Sequence, residues 1–228
     1  MRVGILFSGG KDSTYATYLA KQKGDDLRCL ITLSPTRSDS YMFHYPNVPW
    51  TKLQAETMRL PQITQETAGV KEEELADLSK AIEAAKRDYS IEGVYTGALA
   101  SVYQKARVER ICDELGVKCV SPLWHIDQVK HLENLVDHHF EVIVTGVAAL
   151  GMDESWLGRS LDRKTIGELA NLHDKYGVNP GLEGGEGETF VLDCPLFEKR
   201  IEVISSKRHW SGDSGYLEIL DARLLAKT

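Results

Sequence analysis

The sequence has no long apolar run, no block of basic residues and no CxxC pair, and each absence excludes a class of protein. No apolar stretch approaches the roughly twenty residues that a helix needs to cross a bilayer. The four cysteines, Cys29, Cys112, Cys119 and Cys194, are scattered and have no histidine at zinc-finger spacing, which argues against a metal knuckle or a disulfide framework. Three of them sit in apolar runs, where a thiol behaves as a small hydrophobe, so reduced core thiols in a reducing compartment are expected. The nearest thing to a basic cluster is Lys207-Arg208, read as a solvated pair. A net charge of −7 repels phosphate backbones, so bulk nucleic-acid binding is not expected. Arg2 leads directly into a strand pattern, without the charged start, apolar core and cleavage site of a signal peptide. The expectation is a cytoplasmic protein that does not associate with membranes; a homo-oligomer is compatible with the sequence.

What is present is ordinary globular material: 42% hydrophobic and 27% charged residues in a chain of 228, enough to bury a core without staples. Val3-Gly4-Ile5-Leu6-Phe7 is a continuous apolar run of the kind that fills a strand buried on both faces. A glycine-rich turn follows, then a helix through Tyr15 and Leu19 that ends near Gly24. Leu27–Leu33 reads as a second strand, Ser34–Pro49 as a long polar and aromatic loop, Thr51–Thr57 as a short helix and Arg59–Ile63 as a third strand. Leu75, Leu78, Ile82 and Ala85 fall at helical spacing behind Glu72, Glu73 and Glu74, whose charges suit the positive end of a helix. Gly93–Thr96, Val102–Leu115 and Val117–Ser121 add a strand, a helix and a strand.

This rhythm predicts an α/β fold, a parallel five-stranded sheet of right-handed βαβ units flanked by helices. Ligands collect at the carboxyl ends of such strands, near the switch in strand order. Past Pro122 the texture changes: a helix near Gln128–Asp137, a strand Glu141–Ala148, a helix near Asp162–Tyr176, the run Leu182–Thr189, and short strands at Phe190–Cys194, Arg200–Ile204 and Tyr216–Leu220. Two domains are expected, residues 1–122 and a smaller α+β C-terminal domain of residues 123–228. The chain contains no internal repeat and no low-complexity segment.

Ser8-Gly9-Gly10-Lys11-Asp12-Ser13 stands between the first strand and the first helix. Two glycines let the backbone turn tightly and approach a ligand with no Cβ in the way. The N–H groups of the loop and helix start then suit a polyphosphate. Lys11 adds positive charge, Ser8 and Ser13 add hydroxyl donors, and Asp12 either holds a magnesium ion or caps the helix. A Walker loop needs glycine, four residues, then Gly-Lys-Ser/Thr, and this spacing differs. A capped helix after a glycine turn is the alternative reading.

The six residues resemble the PP-loop of the N-type ATP pyrophosphatases, a branch of the HUP nucleotide-binding folds. The resemblance implies cleavage of ATP to AMP and pyrophosphate, with the β- and γ-phosphates held by the loop. Three further segments narrow it: Ser40-Tyr41-Met42-Phe43-His44; Gly97-Ala98-Leu99-Ala100-Ser101, continuing through Tyr103-Gln104, Arg107-Val108-Glu109 and Cys112 to Pro122-Leu123-Trp124; and Glu183-Gly184-Gly185-Glu186-Gly187-Glu188-Thr189. In order with the loop, they resemble the diphthine–ammonia ligase family over nearly the whole chain. That family completes diphthamide on translation elongation factor 2. Leu99 departs from the Ile often found there, and Gly187 stands where a bulky aromatic is common. Eukaryotic members carry extra C-terminal domains, so this chain is expected to be the minimal form.

The resemblance implies that ATP activates the diphthine carboxylate as an acyl-adenylate, which ammonium converts to an amide. ATP and magnesium would be the cofactors, and diphthine-modified elongation factor 2 and ammonium the partners. Around the nucleotide it implies Ser8, Gly9, Gly10, Lys11, Asp12, Ser13, Ser34, His44, Gly97, Ala98, Ser101 and Gln104; in catalysis, Lys11, Asp12, Arg107, Glu186 and Glu188; at the metal, Asp12. No residue stands out as a covalent nucleophile. No glutaminase region and no cysteine after Met1 are evident, so free ammonium is the expected nitrogen source.

Each segment also has a plainer reading. His44 is either a ligand contact or a loop histidine, and Gly97-Ala98 either meets the nucleotide or makes a tight turn. Gln104 and Arg107 share a helix face that is a clamp or merely solvated. Glu183, Glu186 and Glu188 face a cationic ligand, joined by Trp156 or Trp210 through cation–π contact, or lie in a solvated turn. Asp153 and Arg159 line the mouth of the site or belong to a capped loop. His138-His139 reads as a surface pair. The rival functions are a PP-loop tRNA-modifying enzyme, for which basic patches and sulfur-transfer cysteines are missing, and an ATP-binding sensor without turnover.

Overall fold

The computed structural model describes residues 1–35, 47–68 and 73–227. The chain folds into two compact units, residues 1–8 with 12–125 and residues 9–11 with 126–228.

The first unit carries a parallel sheet of β1 (Arg2–Leu6), β2 (Asp26–Pro35), β3 (Gln62–Thr67), β4 (Gly93–Tyr95) and β5 (Lys118–Val120). Its spatial order is β3-β2-β1-β4-β5, and all four pairings are parallel. Helices α1 (Lys11–Gln22), α2 (Thr51–Met58), α3 (Glu73–Tyr89) and α4 (Val102–Leu115) connect the strands. The apolar run of β1 is explained by burial on both faces. Val3, Ile5 and Leu30 pack with Ala20 of α1 and Ala55 of α2, while Cys29 and Ile31 pack with Leu78 and Ile82 of α3 and Ile111 of α4. The predicted five-stranded parallel sheet flanked by helices is therefore what forms.

The third strand starts later than its sequence suggests, at Gln62 rather than Arg59. Arg59 is the left-handed cap of α2, with φ 54° and its N–H bonded to Ala55 O and Glu56 O. Pro61 has no N–H to offer a ladder; its carbonyl accepts from Leu30 N at 2.9 Å, and the register with β2 runs from Gln62 onward. β3 is an edge strand, which explains why Gln62, Thr64, Gln65 and Glu66 are tolerated there. Glu72 and His44 lie outside the described residues.

The second unit is α+β. Helices α5 (Gln128–Asp137) and α6 (Arg163–Tyr176) accompany strands β6 (Glu141–Val147), β7 (Gly187–Asp193), β8 (Lys199–Ser211) and β9 (Ser214–Ala226), in antiparallel order β7-β6-β9-β8. Asp127 and Asp162 cap the two helices, accepting from Lys130 N and Thr165 N at 2.7 Å each. Two strands are far longer than the predicted Arg200–Ile204 and Tyr216–Leu220. They form one hairpin of thirteen residues a side, closed by Ser211↔Ser214 around Gly212-Asp213. Gly212, at φ 63°, supplies the positive torsion that a two-residue hairpin turn requires. No described helix is long and apolar enough to cross a membrane.

Candidate functional site

β1 is the strand at which the first sheet changes direction: β2 and β3 lie on one side, β4 and β5 on the other. The carboxyl ends of β1 and β4 therefore flank the topological switch point, where open α/β sheets bind ligands. Phe7, just past β1, donates its N–H to Ile31 O at 2.8 Å and accepts from Thr32 Oγ1 at 2.8 Å, so the strand end is fixed before the loop begins.

Within the loop, Ser8 N donates to Ser13 Oγ at 3.2 Å, and the two hydroxyls meet at 3.1 Å. Thr17 Oγ1 donates to Ser13 O at 2.7 Å and ties the first turn of α1 together. Gly9 sits at φ 81°, a torsion that disfavours any side chain. Lys11 is buried, with 3% of its surface exposed, while Ser8 is open to solvent. Asp12 lies in the first turn of α1, where a carboxylate also suits the helix dipole.

Gly97, just after β4, reaches this turn. A Cβ there would lie 2.7 Å from both Asp12 C and Ser13 N. The crowding that demands glycine at 97 thus comes from the backbone of α1 itself. Ala98 N donates to Thr96 Oγ1 at 3.2 Å, and Leu99 O accepts from His125 N at 2.9 Å. Ser101 precedes α4, its carbonyl accepting from Lys105 N at 3.0 Å. Ser34 stands near the carboxyl end of β2, half-buried. Arg107 is half-buried on α4; Gln104 also falls on α4, with its side chain outside the described set. Lys105 bridges this segment, pairing with Glu109 and standing 5.1 Å over the Trp124 ring.

In the second unit, Gly9 O accepts from Val191 N at 3.1 Å and Lys11 N donates to Thr189 Oγ1 at 3.1 Å. The acidic segment is more ordered than its glycines suggest. Gly187 to Thr189 are strand, not loop, and Glu188 pairs opposite Gly146 of β6. Glu186 Oε2 accepts from Asn179 N at 2.5 Å, so this carboxylate has a structural task as well. A Cβ on Gly187 would stand 3.0 Å from Gly146 O and 3.1 Å from Leu182 Cβ, which fits the absence of a bulky side chain there.

Trp156 and Arg159 serve each other. The guanidinium lies 4.2 Å from the ring centroid and bonds Glu168 Oε2 at 2.8 Å, and Trp156 is buried. Asp153 Oδ1 caps its own turn through Ser155 N at 2.9 Å, and the Ser155 hydroxyl, then this backbone N–H, hold its carboxyl below the usual range.

Comparison with known proteins adds an independent finding. A family model described as the diphthamide synthase N-terminal domain matches residues 1–119, and one described as the diphthamide synthase C-terminal domain matches residues 127–225. A Bos taurus protein named diphthine–ammonia ligase is 36% identical over 226 residues, 91% of this chain and 84% of that protein. The Homo sapiens protein of the same name is 35% identical over 226 residues with the same coverage. In the Schizosaccharomyces pombe protein of that name, 36% identity extends over 238 residues, 96% of this chain but 39% of the longer relative. A solved structure described as a predicted subunit of tRNA methyltransferase from Methanocaldococcus jannaschii aligns over 86% of this chain and 98% of its own, at 15% identity and a TM-score of 0.43.

Proposed function

The chain belongs to the diphthine–ammonia ligase family, and on that premise we propose that it amidates the diphthine carboxylate of translation elongation factor 2 at the expense of ATP. The observation that carries the reading is the Ser8–Ser13 loop, which follows β1 at the switch point of a parallel sheet and is fixed there by the Ser8–Ser13 bonds. A backbone turn of this kind binds a polyphosphate through N–H groups and a helix start.

The reaction has two displacements. The carboxylate oxygen attacks the α-phosphorus and pyrophosphate leaves, giving an acyl-adenylate. Ammonia then attacks the acyl carbon, AMP leaves with the bonding pair and the nitrogen gives up one proton to solvent, leaving the primary amide. Lys11 and the loop amides offset the charge that grows on the departing pyrophosphate, while the Ser8 and Ser13 hydroxyls orient it. Gly10 keeps the loop open to the phosphates. Ser34, His44, Gly97, Ala98, Ser101 and Gln104 are assigned to the nucleotide, and Arg107 to a phosphate or carboxylate oxygen. Glu186 and Glu188 favour a cationic substrate and ammonium by charge. Residues 1–122 are assigned to the nucleotide and residues 123–228 to the protein substrate, with the reaction taking place in the cytoplasm.

Magnesium fits as a companion of the nucleotide rather than as a resident ion. Among the described residues no three His, Cys, Asp or Glu side chains cluster to hold a metal. A single carboxylate beside a phosphate loop is the donor set from which Mg²⁺ is bound together with substrate phosphates, and Asp12 supplies it. When bound, the ion would neutralise phosphate charge.

The test is to combine purified protein with ATP, magnesium, ammonium and diphthine-bearing elongation factor 2. AMP should form in step with conversion of one carboxylate on the factor to a primary amide, and Lys11→Ala should abolish both. AMP without the amide would keep the ATP chemistry and refute the substrate; neither product would refute the reading.

A further inference from the structure

Two thiols that the proposed reaction does not use meet where α4 turns into β5. The helix ends on a Schellman turn: Val117 N donates to Cys112 O at 2.9 Å and Gly116 N to Asp113 O at 3.1 Å, with Gly116 at φ 64°. In such a turn the side chains at its two ends, here Cys112 and Val117, stand against each other. The chain then runs directly into β5, where side chains alternate, so Cys119 projects from the same side as Val117, toward α4. Cys112, Val117 and Val94 belong to one buried apolar cluster, and Cys119 packs against it. Val94 is also the partner of Cys119 on β4.

The two sulfurs differ in access. Cys112 has no exposed surface, whereas Cys119 is half-buried. One thiol is therefore open to a small reagent from solvent, and the other stands behind it. The two face each other, an interaction that holds Cys119 below the ordinary thiol range and raises Cys112. A thiolate is the form that attacks an oxidant. Cys29 and Cys194 are both fully buried.

We propose that Cys119 is a site of oxidation by small hydroperoxides, hydrogen peroxide first, and that Cys112 resolves the product as an intramolecular disulfide. In the first step the Cys119 sulfur attacks one peroxide oxygen and the O–O bond breaks. The other oxygen leaves as hydroxide and takes the thiol proton, giving water and a sulfenic acid at Cys119. In the second step the Cys112 sulfur attacks the Cys119 sulfur, the S–O bond breaks, and the departing hydroxide takes the Cys112 proton as water. Two thiols and one peroxide become one disulfide and two waters. A sulfenic acid beside a thiol closes before a second peroxide carries it to the irreversible sulfinic acid. The pair thus keeps the modification reversible, and the bond joins α4, the helix that carries Arg107, to β5. The inference is independent of the amidation reaction.

The test uses the intact, reduced chain. The native protein is treated with hydrogen peroxide at neutral pH, then unfolded in iodoacetamide and digested with trypsin without reductant. Trypsin cuts after Arg110, Lys118 and Lys130, so the two cysteines fall on separate peptides, residues 111–118 and 119–130. Mass spectrometry should find these peptides joined with the loss of two hydrogens, and Cys29 and Cys194 carrying the iodoacetamide label. Dithiothreitol should restore both thiols. Cys112→Ala should abolish the joined peptide and let Cys119 proceed to a sulfenic acid that dimedone traps, then to sulfinic acid. Cys119→Ser should leave Cys112 reduced. The proposal is overturned by an unreacted Cys119, by sulfinic acid there in the wild type without the joined peptide, or by a disulfide between two chains. Oxidation of Cys29 or Cys194 ahead of Cys119 overturns it equally.

Discussion

The backbone N–H of Lys11 donates to Oγ1 of Thr189 at 3.1 Å. Together with the bond from Val191 N to Gly9 O at 3.1 Å, it lays Gly9–Lys11 along the edge strand β7. On the proposed role of the loop, this hydroxyl would compete with a phosphate oxygen for the Lys11 amide, and it is a small group able to rotate away.

Replacing the hydroxyl by a methyl separates the two states. Thr189→Val leaves Lys11 N without this acceptor in the nucleotide-free protein, at a cost of about 1 kcal/mol, or about 2–4 °C in Tm for a chain of this size. Saturating ATP should restore most of the loss, so its stabilising effect is larger in the variant than in the wild type. Thr189→Ser should match the wild type throughout. Thermal melts with and without ATP decide the matter; an equal ATP-induced rise in all three would mean that the hydroxyl keeps its bond when phosphate is present.

A methyl group at residue 97 meets backbone on contact, 2.7 Å from Asp12 C and Ser13 N. Backbone in the first turn of α1 yields less readily than a side chain, so Gly97→Ala should cost about 1–3 kcal/mol and weaken ATP about tenfold, equivalent to about 1.4 kcal/mol of binding. Gly167→Ala is the control. It lies within α6, and nothing stands within 4 Å of the added methyl. That change should raise stability by about 0.5–1 kcal/mol. Denaturant titration and ATP binding measured on both variants test the contrast, and an unaffected Gly97→Ala would refute it.

The first sheet was legible because its signals are local. Val3 to Phe7 read as a buried strand from composition alone, and the loop after it carries its own glycines and charge. Leu60 and Ile63 suggest an earlier start for β3, whereas the left-handed cap at Arg59 and the missing N–H of Pro61 set where the register with β2 begins. In the hairpin, Ser205, Ser206 and Lys207 hide a strand whose partners, Asp221, Ile219 and Glu218, lie more than ten residues away. Gly212-Asp213 was the available clue. Charge alone marks Glu186 in the sequence, whereas its bond to Asn179 N is a contact that only the folded chain creates.

The cysteines differ in burial and in what surrounds the thiol. Burial pushes Cys29 and Cys194 up to about 12, which keeps them as inert thiols. The Cys112 thiol faces Cys119, an interaction that holds Cys119 below the ordinary thiol range and raises Cys112. Cys119 is also the one of the four that is not fully buried. Iodoacetamide at neutral pH should therefore modify Cys119 first, and Cys112→Ala should slow that reaction by removing the donor. Peptide mass spectrometry over a time course reads the order; earlier labelling of Cys29 or Cys194 would contradict it.

The last strand before the Gly97 turn is tied to the start of β2 by a pH-sensitive bond. Tyr95 Oη donates to Asp25 Oδ2 at 2.6 Å, and the Met1 ammonium lies 3.0 Å from Oδ1. The phenol and then the ammonium hold the Asp25 carboxyl below its ordinary value, while burial and this bond raise Tyr95. For Asp25, a folded pKa below the unfolded one of about 3.9 means stability that is present above that value and lost as pH falls through the folded pKa. For Tyr95, a folded pKa above the unfolded one of about 10 means stability present below that value and lost as pH rises through the folded pKa. Tyr95→Phe should thus cost about 1–3 kcal/mol at neutral pH. The gap to wild type should narrow below about pH 4 as Asp25 takes up its proton. Urea unfolding of both proteins between neutral pH and about pH 3 measures that gap, and a gap that stays constant across the range would show that the ionised carboxylate contributes nothing to this bond.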